Sequence, residues 1–249
     1  MAKELKGQHR YNEFSAENVA KRVKAMVDCR ENLLSLAKEF DLEENLQIKL
    51  SYGNRKTGAL VPSISLIPVA DCGKGCKVCS RGCYDVRNVC YLPSVQRSRA
   101  MNSAVWKNDP DRYMEQVKKA VQFLRFFRWH VGGDIKDKKY LSGMVAIAEA
   151  TPTCEFLVFT KEYDLVNQWL DERGAFPKNL HVIFSDWKGA EFENPHGLPV
   201  SSPLWADGTK GAHCTEDAFL CPGKCEECAE ARVGCWSATK GQTILFEAH

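Results

Sequence analysis

The sequence predicts an α/β fold: a parallel sheet or partial (β/α) barrel with a cysteine-rich, metal-stapled C-terminal segment. Three observations predict it. Short apolar runs alternate with amphipathic helical stretches between residues 59 and 190, the pattern of strand–helix–strand crossover units. Polar residues or paired glycines follow each run, at the strand ends where such sheets bind ligands. Ten of the twelve cysteines fall into two clusters, 72–90 and 214–235.

Taken in order, residues 1–58 read as a helical segment and lead-in. Val19, Val23, Met26, Val27, Leu33, Leu34, Ala37 and Phe40 recur at helical spacing, with Ser15 as N-cap. Residues 51–57 are polar and turn-like, and residues 60–69 predict a buried strand leading into the first cysteines. Asp109-Pro110 starts a helix to about residue 125 whose apolar stripe is Met114, Val117, Val121 and Leu124. Residues 126–131 predict a strand ending at Gly132-Gly133-Asp134, and residues 140–150 a helix stopped before Pro152. A strand at 155–159, a helix at 164–172 and a strand at 180–184 complete the alternation. These repeats are too few for a complete eight-stranded barrel. Past Asp186 the chain becomes rich in glycine and proline, so the α/β core is expected to span 59–190 and the cysteine-rich segment 191–249.

With 249 residues, 44% hydrophobic and 27% charged, the chain can bury a substantial core. A formal net charge of +2 gives no overall basic field, although the run from Arg97 to Arg99 could contact phosphates. No apolar run approaches the ~20 residues of a membrane span, and the opening Met-Ala-Lys-Glu-Leu-Lys lacks a signal-peptide core. A cytoplasmic location is therefore expected, where clustered cysteines are metal ligands more often than disulfides. Cys29 and Cys154, outside the clusters, read as small buried hydrophobes.

Cys72, Cys76 and Cys79 stand at C-x3-C-x2-C spacing. Three thiolates from one loop can hold three corners of a [4Fe-4S] cube and leave the fourth iron open, whereas tetrahedral zinc needs a fourth ligand. Cys83 and Cys90 follow closely, so a zinc site of Cys72, Cys76, Cys79 and Cys83 stays open as the alternative. The second cluster, Cys214, Cys221, Cys225, Cys228 and Cys235, with His213 beside it, can saturate zinc or a second iron-sulfur cluster. The candidate chemistry at the strand ends falls to His130, Gly132, Gly133 and Asp134, then Lys161, then Asp186. His130 reads as a core histidine, a proton donor or a cofactor contact.

The first cysteine spacing resembles that of radical S-adenosylmethionine enzymes. Gly132-Gly133-Asp134 resembles their Gly-Gly-Glu motif, whose backbone helps bind the methionine amino group. Val78 stands where those enzymes usually carry an aromatic residue. About four fifths of the chain, from Lys56-Thr57-Gly58 onward, resembles the phage gene product 88 family. The matching motifs are Cys72 to Cys79 with Gly82-Cys83-Tyr84, Arg128-Trp-His-Val-Gly-Gly-Asp-Ile135, Phe156-Leu-Val-Phe-Thr-Lys161, and Gly234-Cys-Trp236 before Glu247-Ala-His249. That family's His-x-Ser-Gly-Asp pattern appears as His130-Val-Gly-Gly-Asp134.

The radical S-adenosylmethionine resemblance implies an iron-sulfur enzyme using a [4Fe-4S] cluster and S-adenosylmethionine, with a reductase as electron donor, and the phage-family resemblance implies the host cytoplasm. The enzyme's substrate would be a nucleotide, nucleic acid or peptide. Two alternatives remain open at this point. One is a zinc-stapled, non-enzymatic protein that contacts nucleic acid or a partner protein through Arg97, Arg99, Arg128 and Trp236. The other is a zinc-bearing barrel enzyme acting on nucleobases, with Asp134 or Asp186 as nucleophile or base.

Overall fold

Strands with almost no exposed residue set the frame, as fits a parallel sheet covered on both faces. The computed structural model describes residues 16–41, 45–53, 57–74, 76–79, 83–89, 92–187, 189–205 and 208–247. Ser15, residues 54–56 of the polar turn, Gly82, Cys90, Ala248 and His249 lie outside the described residues. Among the described residues there are seven strands: β1 (Ser63–Ile64), β2 (Phe126–Trp129), β3 (Glu155–Thr160), β4 (Leu180–Ser185), β5 (Val200–Leu204), β6 (Phe219–Leu220) and β7 (Thr243–Glu247). They form one open sheet in the order β1-β2-β3-β4-β5-β7-β6, with every pairing parallel.

The helices are α1 (Ala16–Phe40), α2 (Cys76–Cys79), α3 (Tyr84–Val89), α4 (Pro93–Asn108), α5 (Pro110–Val121), α6 (Lys138–Ala150), α7 (Tyr163–Arg173) and α8 (Cys225–Ala231). Local chemistry fixes several ends. The Asp109 side chain accepts from the Arg112 N–H, with Pro110 opening α5, and Asp137 accepts from the Tyr140 N–H at the start of α6. Gly174, at φ +88°, stops α7 in a conformation that glycine adopts without steric cost.

Side-chain alternation along the strands builds two unlike faces. Phe127, Trp129, Phe156, Val158, Val182 and Phe184 pack on α5, α6 and α7 through Val117, Tyr140, Met144 and Val166. Phe126, Leu157, Ile183 and Ile244 face the other way, onto Cys228, Ala229 and Trp236. The C-terminal cysteine segment is thus the lid of the sheet's second face. Burying each of these large side chains is worth about 1.5–3 kcal/mol.

Four expectations need correction or extension. The strand expected at 60–69 shrinks to Ser63–Ile64, because the chain turns just beyond it: the Leu66 N–H reaches the Gly132 carbonyl and the Asp71 N–H folds back to the Ile67 carbonyl around Pro68. Helix α4, opened by Pro93, precedes the helix that begins at Pro110 and was not foreseen. The boundary expected near residue 190 falls inside the sheet, since β5, β6 and β7 extend it. Arg99, Arg128 and Trp236, expected at the surface, are buried, which removes them as contacts for nucleic acid or a partner. Arg99 is tied to Asp85, Arg128 lies over the Phe159 ring, and Trp236 packs edge-on to Phe126. Arg97 is exposed and stacks on Phe40. Cys29 and Cys154 are buried. Among the described residues, no helix is long and apolar enough to cross a membrane.

Candidate functional site

Parallel pairing brings the C-terminal ends of β1 to β5 to one rim, and the candidate residues gather there. The first cysteine loop leaves β1, and the Gly-Gly-Asp turn leaves β2. Asp71, directly before Cys72, joins them: its carbonyl accepts from the Asp134 N–H, and its carboxylate accepts from the Ile67 N–H and from Lys136 Nζ at 2.7 Å. The two turns are therefore one unit. Asp71 was not singled out in the sequence; its place beside the first cysteine is the only local signal.

Close approach explains both glycines. A Cβ on Gly132 would collide with Asp85 Oδ2, and Gly133 has φ +81° against Leu66. Asp134 is buried, and its carboxylate accepts from the Ile135 N–H, the Thr160 hydroxyl at 2.6 Å and the Lys161 N–H at 2.9 Å. Burial pushes its pKa up while those three donors pull it down. The Asp134 carboxylate thus ties the turn after β2 to the end of β3 and the start of the loop beyond it.

Lys161, after β3, reaches Ser185 Oγ at 2.8 Å and lies over the Trp187 ring at 5.5 Å. Asp186, after β4, is fully buried. One carboxylate oxygen accepts from the His213 N–H and lies against Gly211; the other has no partner among the described residues. His213 stacks on Phe192 and has its ring 3.7 Å from Asp186. His213 thus lies beside Asp186, whose charge also acts on Cys214.

The thiols of the first loop are half-buried. A hydrogen bond to Cys76, then burial and the charge of Asp134, raise the Cys72 pKa well above the ordinary thiol range. Burial raises Cys79, against the pull of Lys161. Cys83 is pushed up to about 12 by burial and the nearby Asp85 charge. In the second cluster, burial and the neighbouring thiols raise Cys228 and Cys235, with Cys221 and Cys225 acting on both. The Gly223 N–H points at Cys221 Sγ at 3.4 Å. Among the described residues, no three Cys, His, Asp or Glu side chains converge on a single ion position. The donor chemistry nonetheless fits soft metals: three thiols in one strand-end loop, and four close to one another beneath the sheet, all of which a metal would hold deprotonated.

His130 lies just below the rim with φ +53°, buried against Tyr140 and Trp129. Burial, reinforced by Arg99, lowers its pKa from 6.5 to about 3. The folded state resists protonation, so this contribution to stability is complete above pH ~6.5 and is lost as pH falls towards 3, at about 1.4 kcal/mol per pH unit. His130→Asn, which tolerates the left-handed backbone, should remove that slope between pH 6 and 4 in urea unfolding. An unchanged slope in the variant would show that other groups carry it.

A family model described as Gene product 88 matches residues 32–199. The matched span holds the first cysteine loop, the Gly-Gly-Asp turn, Lys161 and Asp186, and stops before β5 and the second cysteine cluster. No curated protein and no solved structure matches the chain.

Proposed function

The chain belongs to the gene product 88 family, and from that premise we propose that it is an iron-sulfur enzyme of radical S-adenosylmethionine type. The observation that carries the reading is the hydrogen-bonded unit of the Cys72–Cys79 loop and the Gly132-Gly133-Asp134 turn, joined through Asp71 at the strand-end rim. Cys72, Cys76 and Cys79 would hold the cluster. When bound, it would supply one-electron reduction of the sulfonium group of S-adenosylmethionine, with a reductase as the source of the electron, and so radical chemistry on the substrate.

The chain's own residues position and shield this chemistry. Asp134 fixes the two turns relative to β3, and Gly132 and Gly133 let Asp85 and Leu66 pack directly on the turn, where a side chain would not fit. Lys161 places one positive charge beside Cys79, favouring the thiolate a metal requires. On the sheet's second face, Cys221, Cys225, Cys228 and Cys235 would take zinc or a second iron-sulfur cluster as a staple for a segment with little core of its own.

Iron, sulfide and zinc per chain, measured after anaerobic purification and cluster reconstitution, test the reading. About four irons and four sulfides, with a visible absorption that bleaches on dithionite, are expected at the first loop. Zinc without iron after reconstitution would overturn it and leave a zinc-stapled protein.

A further inference from the structure

Of the six tryptophans, Trp106, Trp129, Trp169 and Trp236 are buried, each 7% exposed or less. Trp187 and Trp205 are half-buried, and both leave the sheet at the same rim, after β4 and β5. They meet each other edge to face, with ring centroids 4.9 Å apart, and the Lys161 ammonium lies over the Trp187 ring. Packing into the core would have hidden these rings as it hides the other four. Lysines lie on the loops of the same rim. Lys74 and Lys77 are exposed on the cysteine loop, and Lys210 is exposed beside Gly211, which is held at the rim by Ser202 Oγ and lies against Asp186. The rim carboxylates Asp134 and Asp186 are buried and Glu162 is packed against Gly73, while Glu191 and Glu193 after β4 and Glu216 and Asp217 after β5 are exposed.

We propose that the Trp187–Trp205 pair and the lysines of this rim bind a nucleobase carrying phosphate, as a free nucleotide or within a single strand. The inference rests on reading the strand-end rim as the reaction site and names what that site takes. Aromatic faces stack on any base, and lysines neutralise phosphate without reading sequence. Lys161, which links Trp187 to the neighbourhood of Cys79, would place a stacked ring beside the first cysteine loop.

Equilibrium dialysis of the reconstituted full-length protein against labelled AMP, GMP, CMP and dTMP, and against a labelled single-stranded oligonucleotide, tests this. Binding of mononucleotides identifies the free nucleotide as ligand; binding of the strand alone identifies nucleic acid. Trp187→Leu or Trp205→Leu is expected to weaken binding about tenfold, and Trp187→Phe to retain it. Lys210→Glu should weaken binding and lower the salt slope by about one. This exposed substitution decides the matter if the leucine variants fail to fold. No binding by the wild-type protein at millimolar ligand, or equal binding by folded leucine and Lys210→Glu variants, would overturn the proposal. Iron and sulfide measured on the same samples separate the two claims: nucleotide binding by a protein that takes up no iron would remove the radical reading and leave this one.

Discussion

Cys76→Ala is expected to leave the strand-end site without its iron and sulfide and to abolish S-adenosylmethionine cleavage, while the sheet stays folded. A cube held by Cys72, Cys76 and Cys79 has no spare thiolate in its own loop. Cys83, the next thiol along the chain, stands outside that loop and packs against the core cluster of Leu33, Ile67 and Val86. None of the three loop thiols belongs to a buried core cluster, so stability should change by no more than about 1 kcal/mol. Cys228 makes the contrast. It is buried with Ala229 and Trp236 against Phe126 and Leu157, so Cys228→Ala should lower the unfolding temperature and spare the iron of the first loop. Chemical iron and sulfide analysis beside thermal unfolding separates these outcomes. Full iron loading in Cys76→Ala would eliminate the first loop as the cluster site.

The central α/β repeats were legible because local signals agree with the final packing. Asp109-Pro110, the glycine pair after β2 and the β-branched and aromatic runs of β3 and β4 each say the same thing at short and long range. The later strands were hidden. β5 reads Val-Ser-Ser-Pro-Leu, weak in strand propensity, and forms where β4 and β7 already offer partners on both sides. β1 was over-extended because an apolar run before the cysteines resembles a strand as much as the buried turn it is. At the site, the positions of Gly132, Gly133, Asp134 and Lys161 at one rim could be read from strand order. The engagement of Asp134 could not, because its donors come from Thr160 and Lys161, 26 and 27 residues away. Arg99 and Arg128 were misplaced on the surface for a related reason: the groups that allow them to be buried, Asp85 and Phe159, belong to other elements.

Arg99→Ala should cost about 3–5 kcal/mol, the effect of leaving one member of a buried ion pair without the other. Arg99 Nη2 and Asp85 Oδ1 are 2.9 Å apart, with side chains only 8% and 4% exposed. Asp85 Oδ2 has no partner among the described residues and faces Gly132, so the carboxylate left behind has little local compensation. That loss is a large share of the ~5–15 kcal/mol that holds a typical domain together. Arg99→Met combined with Asp85→Asn removes both charges and should recover most of it, since exchanging a buried pair for neutral groups of similar size is often tolerated. Urea unfolding of Arg99→Met, Asp85→Asn and their combination completes the cycle, and additive losses would show that the pair does not act as a unit. Because Asp85 lies against Gly132, the same cycle reports on the turn that supports the rim. If the pair positions that turn, Arg99→Ala should weaken cluster binding more than an exposed substitution of equal destabilisation, and the neutral double variant should bind iron nearly as the parent does.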